Sequence, residues 1–322
     1  MRVLVTGGAG FIGSHVVSAL LRDGHEVVVV DDFSTGLAEN LADSAAGSSG
    51  RLTVHEADIA TTRAARIVAD ARADVVFLLA AQTAVQVSMR DPMSDVRSNL
   101  LGLVNMLDAA CRAGSRKVVF ASSGGTIYGS VPPQALPIPE TQPHIPLSFY
   151  GLTKSAASGF LRLYRREYGL DYAALALGNV YGPRQRPGGE AGVVAVFAQR
   201  LLDAKSCRIN GDGTTTRDFV HVSDVTAGFM AALRRGSGTF NIGTGVATSV
   251  LEVYQMLAGR LGVGLAPELG PPLPAEVPRV RLDITRAAEL LGWRPVVRLP
   301  EGLDSVVDWL RHRQPYETRT AR

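Results

Sequence analysis

The sequence predicts an α/β fold, a doubly wound parallel sheet with a smaller C-terminal α/β domain, and three observations predict it. Apolar strand-like runs alternate with amphipathic helical patterns through the first half of the chain, as in a parallel sheet covered by helices on both faces. The run Val3-Leu4-Val5 leads straight into Gly7-Gly8-Ala9-Gly10-Phe11-Ile12-Gly13 and then a helical pattern. A second run, Val27-Val28-Val29-Val30, ends in Asp31 and Asp32. With 322 residues and 46% apolar content the chain can bury a large core, as one big domain or two joined ones.

Taken in order, the first strand lies near 2–6. Gly7, Gly10 and Gly13 form the turn out of it, where missing side chains let backbone N–H groups and a helix N-terminus approach a pyrophosphate. The implied ligand is a dinucleotide, and the sheet is of the Rossmann type. The second strand, near 26–31, delivers an acid at about the distance past the glycines where a carboxylate meets the adenosine ribose. Such a carboxylate accepts from the ribose hydroxyls and repels a 2′-phosphate, so Asp31 favours NAD over NADP. Asp32 and the turn Phe33-Ser34-Thr35-Gly36 follow it.

Ser44 to Arg51 reads as a small-residue surface loop before a third strand near 52–56. Strands near 75–79, 117–121 and 172–177 continue the sheet, with a helical stretch over Pro92 to Arg112 and another over roughly 148–167. Val131 to Pro146, rich in proline, reads as an extended loop. Beyond about residue 180 the pattern loosens into glycine- and proline-rich turns, short strands and two or three helices. The last helix is expected from Leu299 to Arg311, after the corner Leu290-Leu291-Gly292-Trp293. This divides the chain into an NAD-binding domain, 1–178, and a mainly substrate-binding domain, 179–322, with some segments interleaved with the sheet. The smaller domain would cover the carboxyl ends of the strands, where ligands of open α/β sheets bind.

Tyr150 and Lys154 stand four apart at the start of the helix over 148–167, so phenol and ammonium share a face. A nearby positive charge stabilises a phenolate, which makes Tyr150 a general base for an alcohol. Upstream, Val118-Val119-Phe120 runs into Ala121-Ser122-Ser123-Gly124-Gly125-Thr126, placing hydroxyls at the carboxyl end of a central strand. Such hydroxyls can hydrogen-bond a reacting oxygen.

The net charge of +3 comes from scattered Arg and Lys, without the runs that mark a nucleic-acid or membrane surface, and suits a polyanionic small molecule. Cys111 and Cys207 lie far apart outside any metal spacing and read as reduced thiols of a cytoplasmic protein. The chain starts on its first strand, leaving no room for a signal peptide, and holds no apolar stretch of membrane-spanning length. The six histidines show no HxxxH or HxH spacing, so no metal site is expected.

At this point the chain resembles the extended short-chain dehydrogenase/reductase family, in its UDP-sugar 4-epimerase branch. Besides the glycine turn and the Tyr150/Lys154 pair, the matches run through Asp58-Ile59, Leu79-Ala80-Ala81-Gln82, Asn99, Asn179-Val180-Tyr181-Gly182-Pro183-Arg184-Gln185, Arg217-Asp218-Phe219-Val220-His221 and Leu291-Gly292-Trp293-Arg294-Pro295. The resemblance implies a permanently bound NAD. Phe11 and Ile12 would lie along its pyrophosphate, Asp31 to Gly36 around the adenosine ribose, and Asp58 with Ile59 at the adenine. Leu79 to Thr83 would line the nicotinamide side, with Asn99 and Ser122 also at the cofactor and Lys154 bonding the nicotinamide ribose. Tyr150 would deprotonate the sugar 4-hydroxyl, with Ser123 assisting. Asn179, Val193 and Arg217 would hold the nucleotide half of the substrate, with Thr126, Arg184, Asn210, Glu276 and Val280 as further substrate-binding candidates. The resemblance also implies a homodimer through a four-helix bundle built from the two helical stretches.

The chain departs from the branch in four places. One extra residue before Tyr128 leaves the catalytic hydroxyl open between Ser123 and the reserves Ser122 and Thr126. Leu273 stands where an Arg usually grips the substrate diphosphate, with Arg184, Arg279 or Arg281 as compensating candidates. Ala176 replaces a strand Arg, and Asn210 stands where some members stack an aromatic on the base. Val280 matches a size gate beside the sugar C2 substituent, where a small residue admits an acetamido group. A 4,6-dehydratase needs a carboxylate in the Ser-rich turn, which 122–128 lacks. A 4-ketoreductase or an NAD-sensing binding protein on the same fold are the remaining alternatives.

Overall fold

A computed structural model describes residues 1–188 and 192–312. The first half alternates as β1 (Arg2–Thr6), α1 (Phe11–Arg22), β2 (Glu26–Asp31), α2 (Glu39–Ala46), β3 (Leu52–Glu56), α3 (Thr62–Ala71), β4 (Val75–Leu78), α4 (Val85–Arg90), α5 (Pro92–Val96), a π turn (Arg97–Leu101), α6 (Gly102–Arg112), β5 (Lys117–Ser123), α7 (Phe149–Tyr168) and β6 (Asp171–Leu177). The rest runs β7 (Asn179–Tyr181), α8 (Val193–Leu202), β8 (Arg208–Asn210), β9 (Thr216–His221), α9 (Val222–Arg234), β10 (Gly238–Ile242), β11 (Ala247–Ser249), α10 (Val250–Leu261), β12 (Glu268–Gly270), α11 (Thr285–Leu291) and α12 (Leu299–His312).

Seven strands form one parallel sheet in the order β10-β6-β5-β4-β1-β2-β3. The central strands β1, β2 and β4 read as nearly unbroken apolar runs because both faces are covered. Val27 and Val29 enter the core under α1 and α9, while Val28 and Val30 enter the opposite core under α3, α6 and α7. The chain winds outward from β1 to β3 and then returns to β4 on the other side of β1. That reversal opens a crevice between β1 and β4, where open α/β sheets bind ligands.

Strand β10 and helix α9, both from the second half, complete one sheet edge and one helical layer. The free edge of β10 is capped by side chains, with Glu140 Oε1 accepting from Asn241 N at 2.8 Å and Arg286 Nε donating to Thr239 O at 3.0 Å. A separate apolar core joins α8, α10 and α12 beside the three-stranded sheet β11-β9-β7 and the pair β12-β8.

Three expectations need correction. Residues 44–46 of the supposed surface loop belong to α2, because Leu41 is buried and Ser44 Oγ meets Ser18 Oγ of α1 at 2.7 Å. The helical stretch from Pro92 to Arg112 is interrupted by the π turn. Five helices, not two or three, lie beyond residue 180 among the described residues, since short segments gain helix from tertiary burial. The Leu290 to Trp293 corner forms as read, with Gly292 left-handed at φ 65° and Trp293 Nε1 donating to Asp224 O at 2.8 Å. Among the described residues no helix is long and apolar enough to cross a membrane.

Candidate active site

The glycine turn is built for close approach. A Cβ on Gly13 would sit 2.0 Å from Gly7 O, and one on Gly7, at φ +69°, would sit 2.7 Å from Ala80 N. Gly10 is the N-cap of α1 and no side chain caps its first amides. Uncapped N–H groups at the positive end of a helix are a ready anion site, so the cradle fits the pyrophosphate of a dinucleotide. Phe11 and Ile12 open this helix.

Asp31 closes β2 at 5% exposure, its carboxylate accepting from Ala9 N and Phe33 N, each at 2.9 Å. Burial pushes its carboxyl above the ordinary value, against the lowering pull of those two N–H groups. Asp32 fastens the turn by accepting from Ser34 N at 3.0 Å, and Gly36 packs where a Cβ would meet Asp31 Oδ1 at 2.7 Å. Thus Asp31 through Gly36, including Thr35, form one wall. Asp58 follows β3, accepting from Ala60 N at 2.8 Å and pairing with Arg97 at 2.7 Å. Ile59 lies against Gly102, which has room for no Cβ there. Leu79 and Ala80 donate their N–H groups to Thr6 Oγ1, each at 3.2 Å, which leads Ala81 and Gln82 across the crevice.

The far side of the crevice holds the reactive groups. Strand β5 extends past the expected end to Ser123, paired opposite Leu177. Ser148 caps α7 by accepting from Gly151 N at 3.1 Å, which fixes Tyr150 and Lys154 on the first turns. Lys154, 3% exposed, donates from Nζ to Ala121 O at 3.0 Å and lies 4.8 Å from the Phe120 ring centre and 5.9 Å from that of Tyr150. The Tyr150 hydroxyl is hydrogen-bonded by Ser123.

Burial dominates both titrations. It pushes Tyr150 up to about 12, opposed by the Ser123 hydrogen bond, and pulls Lys154 down to about 8. In the protein by itself, desolvation of the phenolate is the largest influence on Tyr150.

The register of the Ser-rich turn is decided by packing. A Cβ on Gly124 would lie 2.8 Å from Leu282 Cδ1 and 2.9 Å from Ala176 O, so this position has no space for a serine. Ser122 Oγ and Thr126 Oγ1 are buried without a hydrogen-bond partner. Ser123→Ala is accordingly expected to lower kcat by about 10- to 100-fold, the loss of one hydrogen bond to a developing charge. Ser122→Ala and Thr126→Ala should each cost less; steady-state rates in which Thr126→Ala is the most damaging would overturn this register.

Of the residues expected at the substrate, Asn179 faces the Ser-rich turn and Arg217 lies on β9. Asn179 Oδ1 would lie 3.6 Å from a Cβ on Gly125. Arg217 is held by Glu276 at 2.7 Å and by Val277 O at 2.7 Å. Its neighbour Asp218 accepts from Thr244 N, Gly245 N and Leu282 N and so ties two segments to β9. Val193 starts α8 and Asn210 ends β8 in the C-terminal lobe.

Arg184 is not brought to the site. At φ +68° the chain turns back onto α1, where Arg184 Nη1 approaches Ser18 Oγ at 3.4 Å, two turns past the helix N-terminus. Arg281 is bound to Gly245 O at 2.8 Å, and Arg279 is exposed on the strap that also carries Leu273. Val280 is 1% exposed in one apolar cluster with Ile127, Tyr128, Ile138 and Leu282, so it does not border open space in the protein by itself. Sequence reasoning missed Asp95, Ser88 and Thr153. Ser88 Oγ accepts from Tyr150 N at 3.1 Å, and Thr153 Oγ1 donates to Asp95 at 2.7 Å. The spacing of Asp95 and Asn99, four apart on a buried helical face, is the signal that could have found the first.

Residues 3–243 match the model of the NAD dependent epimerase/dehydratase family. The chain is similar to a UDP-glucose 4-epimerase of Mycolicibacterium smegmatis, 46% identical over 97% of this chain and 99% of that protein. It superposes on the UDP-glucose 4-epimerase of Thermotoga maritima solved with UDP-glucose at a TM-score of 0.92 and 42% identity, covering 97% of this chain and 99% of that one. The Thermus thermophilus UDP-glucose 4-epimerase in complex with NAD gives a TM-score of 0.90 at 41% identity, again over 97% and 99%. With a glycine cradle, an acid-tipped second strand and a Ser-Tyr-Lys cluster in one crevice, this chain belongs to the NAD-dependent epimerase/dehydratase family.

Proposed function

We propose that this protein inverts C4 of a nucleotide sugar, UDP-linked, through a transient 4-keto sugar, keeping one NAD bound throughout. The observation that carries this reading is the gathering of Ser123 at the end of β5 with Tyr150 and Lys154 on the first turns of α7, Lys154 Nζ bound to Ala121 O at 3.0 Å and 5.9 Å from the Tyr150 ring centre. NAD, when bound, supplies the reversible acceptance of a hydride and a positive ring charge. Tyr150 takes the proton of the 4-hydroxyl, Ser123 holds the same oxygen, and Lys154 stabilises the phenolate by its charge. On the return step Tyr150 gives the proton back. Arg217, released from or sharing Glu276, holds the diphosphate as a charge-assisted donor while the sugar turns over. Asn179, Val193 and Asn210 are placed around the nucleotide end, Phe11 to Gly13 and Asp31 to Gly36 around the cofactor, in the same reading.

The segment from 179 onward is read as mainly substrate-binding. The exposed apolar residues Met93, Leu101, Leu152, Leu163 and Tyr168 on α5, the π turn and α7 support a homodimer through those helices. The two free thiols, Cys111 and Cys207, suit a cytoplasmic location.

The test is a panel of UDP-, TDP- and GDP-sugars assayed by NMR for C4 epimers. UDP-glucose and UDP-galactose should interconvert without net release of reduced cofactor. Stoichiometric cofactor turnover would favour the ketoreductase reading and overturn this one. If the size-gate position survives in this chain despite the burial of Val280, a 2-acetamido UDP-sugar is accepted beside the hexose. Rejection of UDP-GlcNAc with free turnover of UDP-glucose would remove Val280 as a gate. Val280→Tyr should abolish the acetamido activity selectively, and because it overfills a closed cluster its melting temperature must be read alongside.

A further inference from the structure

Asp95 has no part in the reading above, yet it is a carboxylate at 0% exposure. It lies in the last turn of α5 and accepts on Oδ1 from Gln82 Nε2 at 2.9 Å and from Asn99 Nδ2 at 3.0 Å, and on Oδ2 from Thr153 Oγ1 at 2.7 Å. The three donors come from three places: the loop after β4, the π turn, and the residue beside Lys154 on α7. Gln82 and Asn99 are further locked to each other, Gln82 N donating to Asn99 Oδ1 and Asn99 Nδ2 to Gln82 O, each at 2.9 Å. A π turn is a costly irregularity that commonly marks a functional site, and here it turns Asn99 onto this carboxylate.

All three donors are neutral, so the negative charge stays in the interior. An uncompensated buried charge is expensive unless an opposite charge lies within reach. The buried charge that Asp95 acts on is Lys154, whose own described hydrogen-bond partner, Ala121 O, is neutral. The groups facing the pair from the neighbouring elements are otherwise uncharged: Ser122 and Ser123 from β5, Gln82 from the loop after β4, Asn99 from the π turn.

We propose that Asp95 is the positioning residue of this site: one buried carboxylate joins the loop after β4 to the catalytic helix and keeps Lys154 an ammonium beside the Tyr150 hydroxyl. It rests on the assignment of Tyr150 as base and Lys154 as its partner. Asp95 raises both titrations, that of Lys154 against a burial effect that brings it to about 8, and that of Tyr150. Loss of the negative charge therefore favours deprotonation of both groups.

Asp95→Asn keeps the shape and a hydrogen-bonding partner for each neighbour while removing the charge. Both limbs of the kcat profile should move to lower pH, the acidic limb with Tyr150 and the alkaline limb with Lys154. The chain has three lysines, Lys117, Lys154 and Lys205, so NMR of protein labelled at the lysine side chains resolves Lys154 directly and without substrate. Its titration should fall by about one pH unit in Asp95→Asn. A structural role alone would lower the melting temperature and leave that titration and both limbs in place, and this result overturns the proposal. So does a shifted lysine titration with unmoved limbs. Where Asp95→Asn yields no folded protein, Thr153→Val decides: it frees one carboxylate oxygen, keeps the charge, and should lower kcat with both limbs fixed, an unchanged kcat overturning the positioning role. An inactive Lys154→Ala is required by the catalytic assignment, and its failure would be separate from that of the lysine titration.

Discussion

Tyr150→Phe is expected to keep NAD bound at nearly the wild-type level while turnover falls by about 10²-fold or more, the usual loss for a positioned general base. The substitution removes one oxygen from a largely buried residue and leaves its ring in place. Its ring stays packed against the first turn of α7, where the backbone N–H of residue 150 is fixed by Ser88 Oγ at 3.1 Å. Burial pushes this phenol up to about 12, so a role as base requires positive charge beside it, which Lys154 and a bound oxidised cofactor would supply. Retained NAD, read by its absorbance after gel filtration, together with near-normal epimer formation would sink the mechanism.

Gly13→Ala is expected to be the most damaging single change to cofactor binding. Its Cβ would sit 2.0 Å from Gly7 O, 2.8 Å from Gly7 C and 2.9 Å from Gly8 Cα, all backbone atoms that cannot swing aside. The turn must open, which withdraws the α1 amides from the pyrophosphate and strains the strand-to-helix joint. A fall of about 10²-fold in NAD affinity is expected, with about 1–3 kcal/mol of stability lost to overpacking. Gly10→Ala is the useful contrast. Its Cβ meets Gly7 O at 3.2 Å, and no other neighbour lies within 4 Å, so the fold should stand and the cofactor alone should feel the methyl group. Calorimetric titration with NAD and thermal unfolding separate the two effects; wild-type affinity in Gly13→Ala would refute the cradle.

Much of this molecule was legible in the order of its residues. The uninterrupted valines of β2 require a sheet buried on both faces, since a half-exposed strand would alternate with polar residues. The glycines at 7, 10 and 13 mark backbone approaches that no side chain permits, and Asp31 follows at the spacing set by one helix and one strand. Tyr150 and Lys154 share a helix face by the period of the helix itself. These are local rules, and a linear sequence contains them.

What the sequence left open depended on neighbours distant along the chain. Ser123, Ser122 and Thr126 are equivalent as hydroxyls in a linear sequence; the fold sets Ser123 against Tyr150 and leaves no room for a side chain at position 124. Arg184 has the right charge for a phosphate, but the left-handed turn at that residue aims it at α1. Val280 keeps register with a pocket position, yet it closes an apolar cluster. Asp95 is one more acid in a helical stretch until Gln82, Asn99 and Thr153 converge on it from separate elements. The sequence by itself determined the elements, the sheet and the reactive pair, because backbone geometry and helical period act over a few residues. Tertiary structure alone decided which side chains are packed together and which are turned away, because desolvation and steric exclusion are properties of the packed interior.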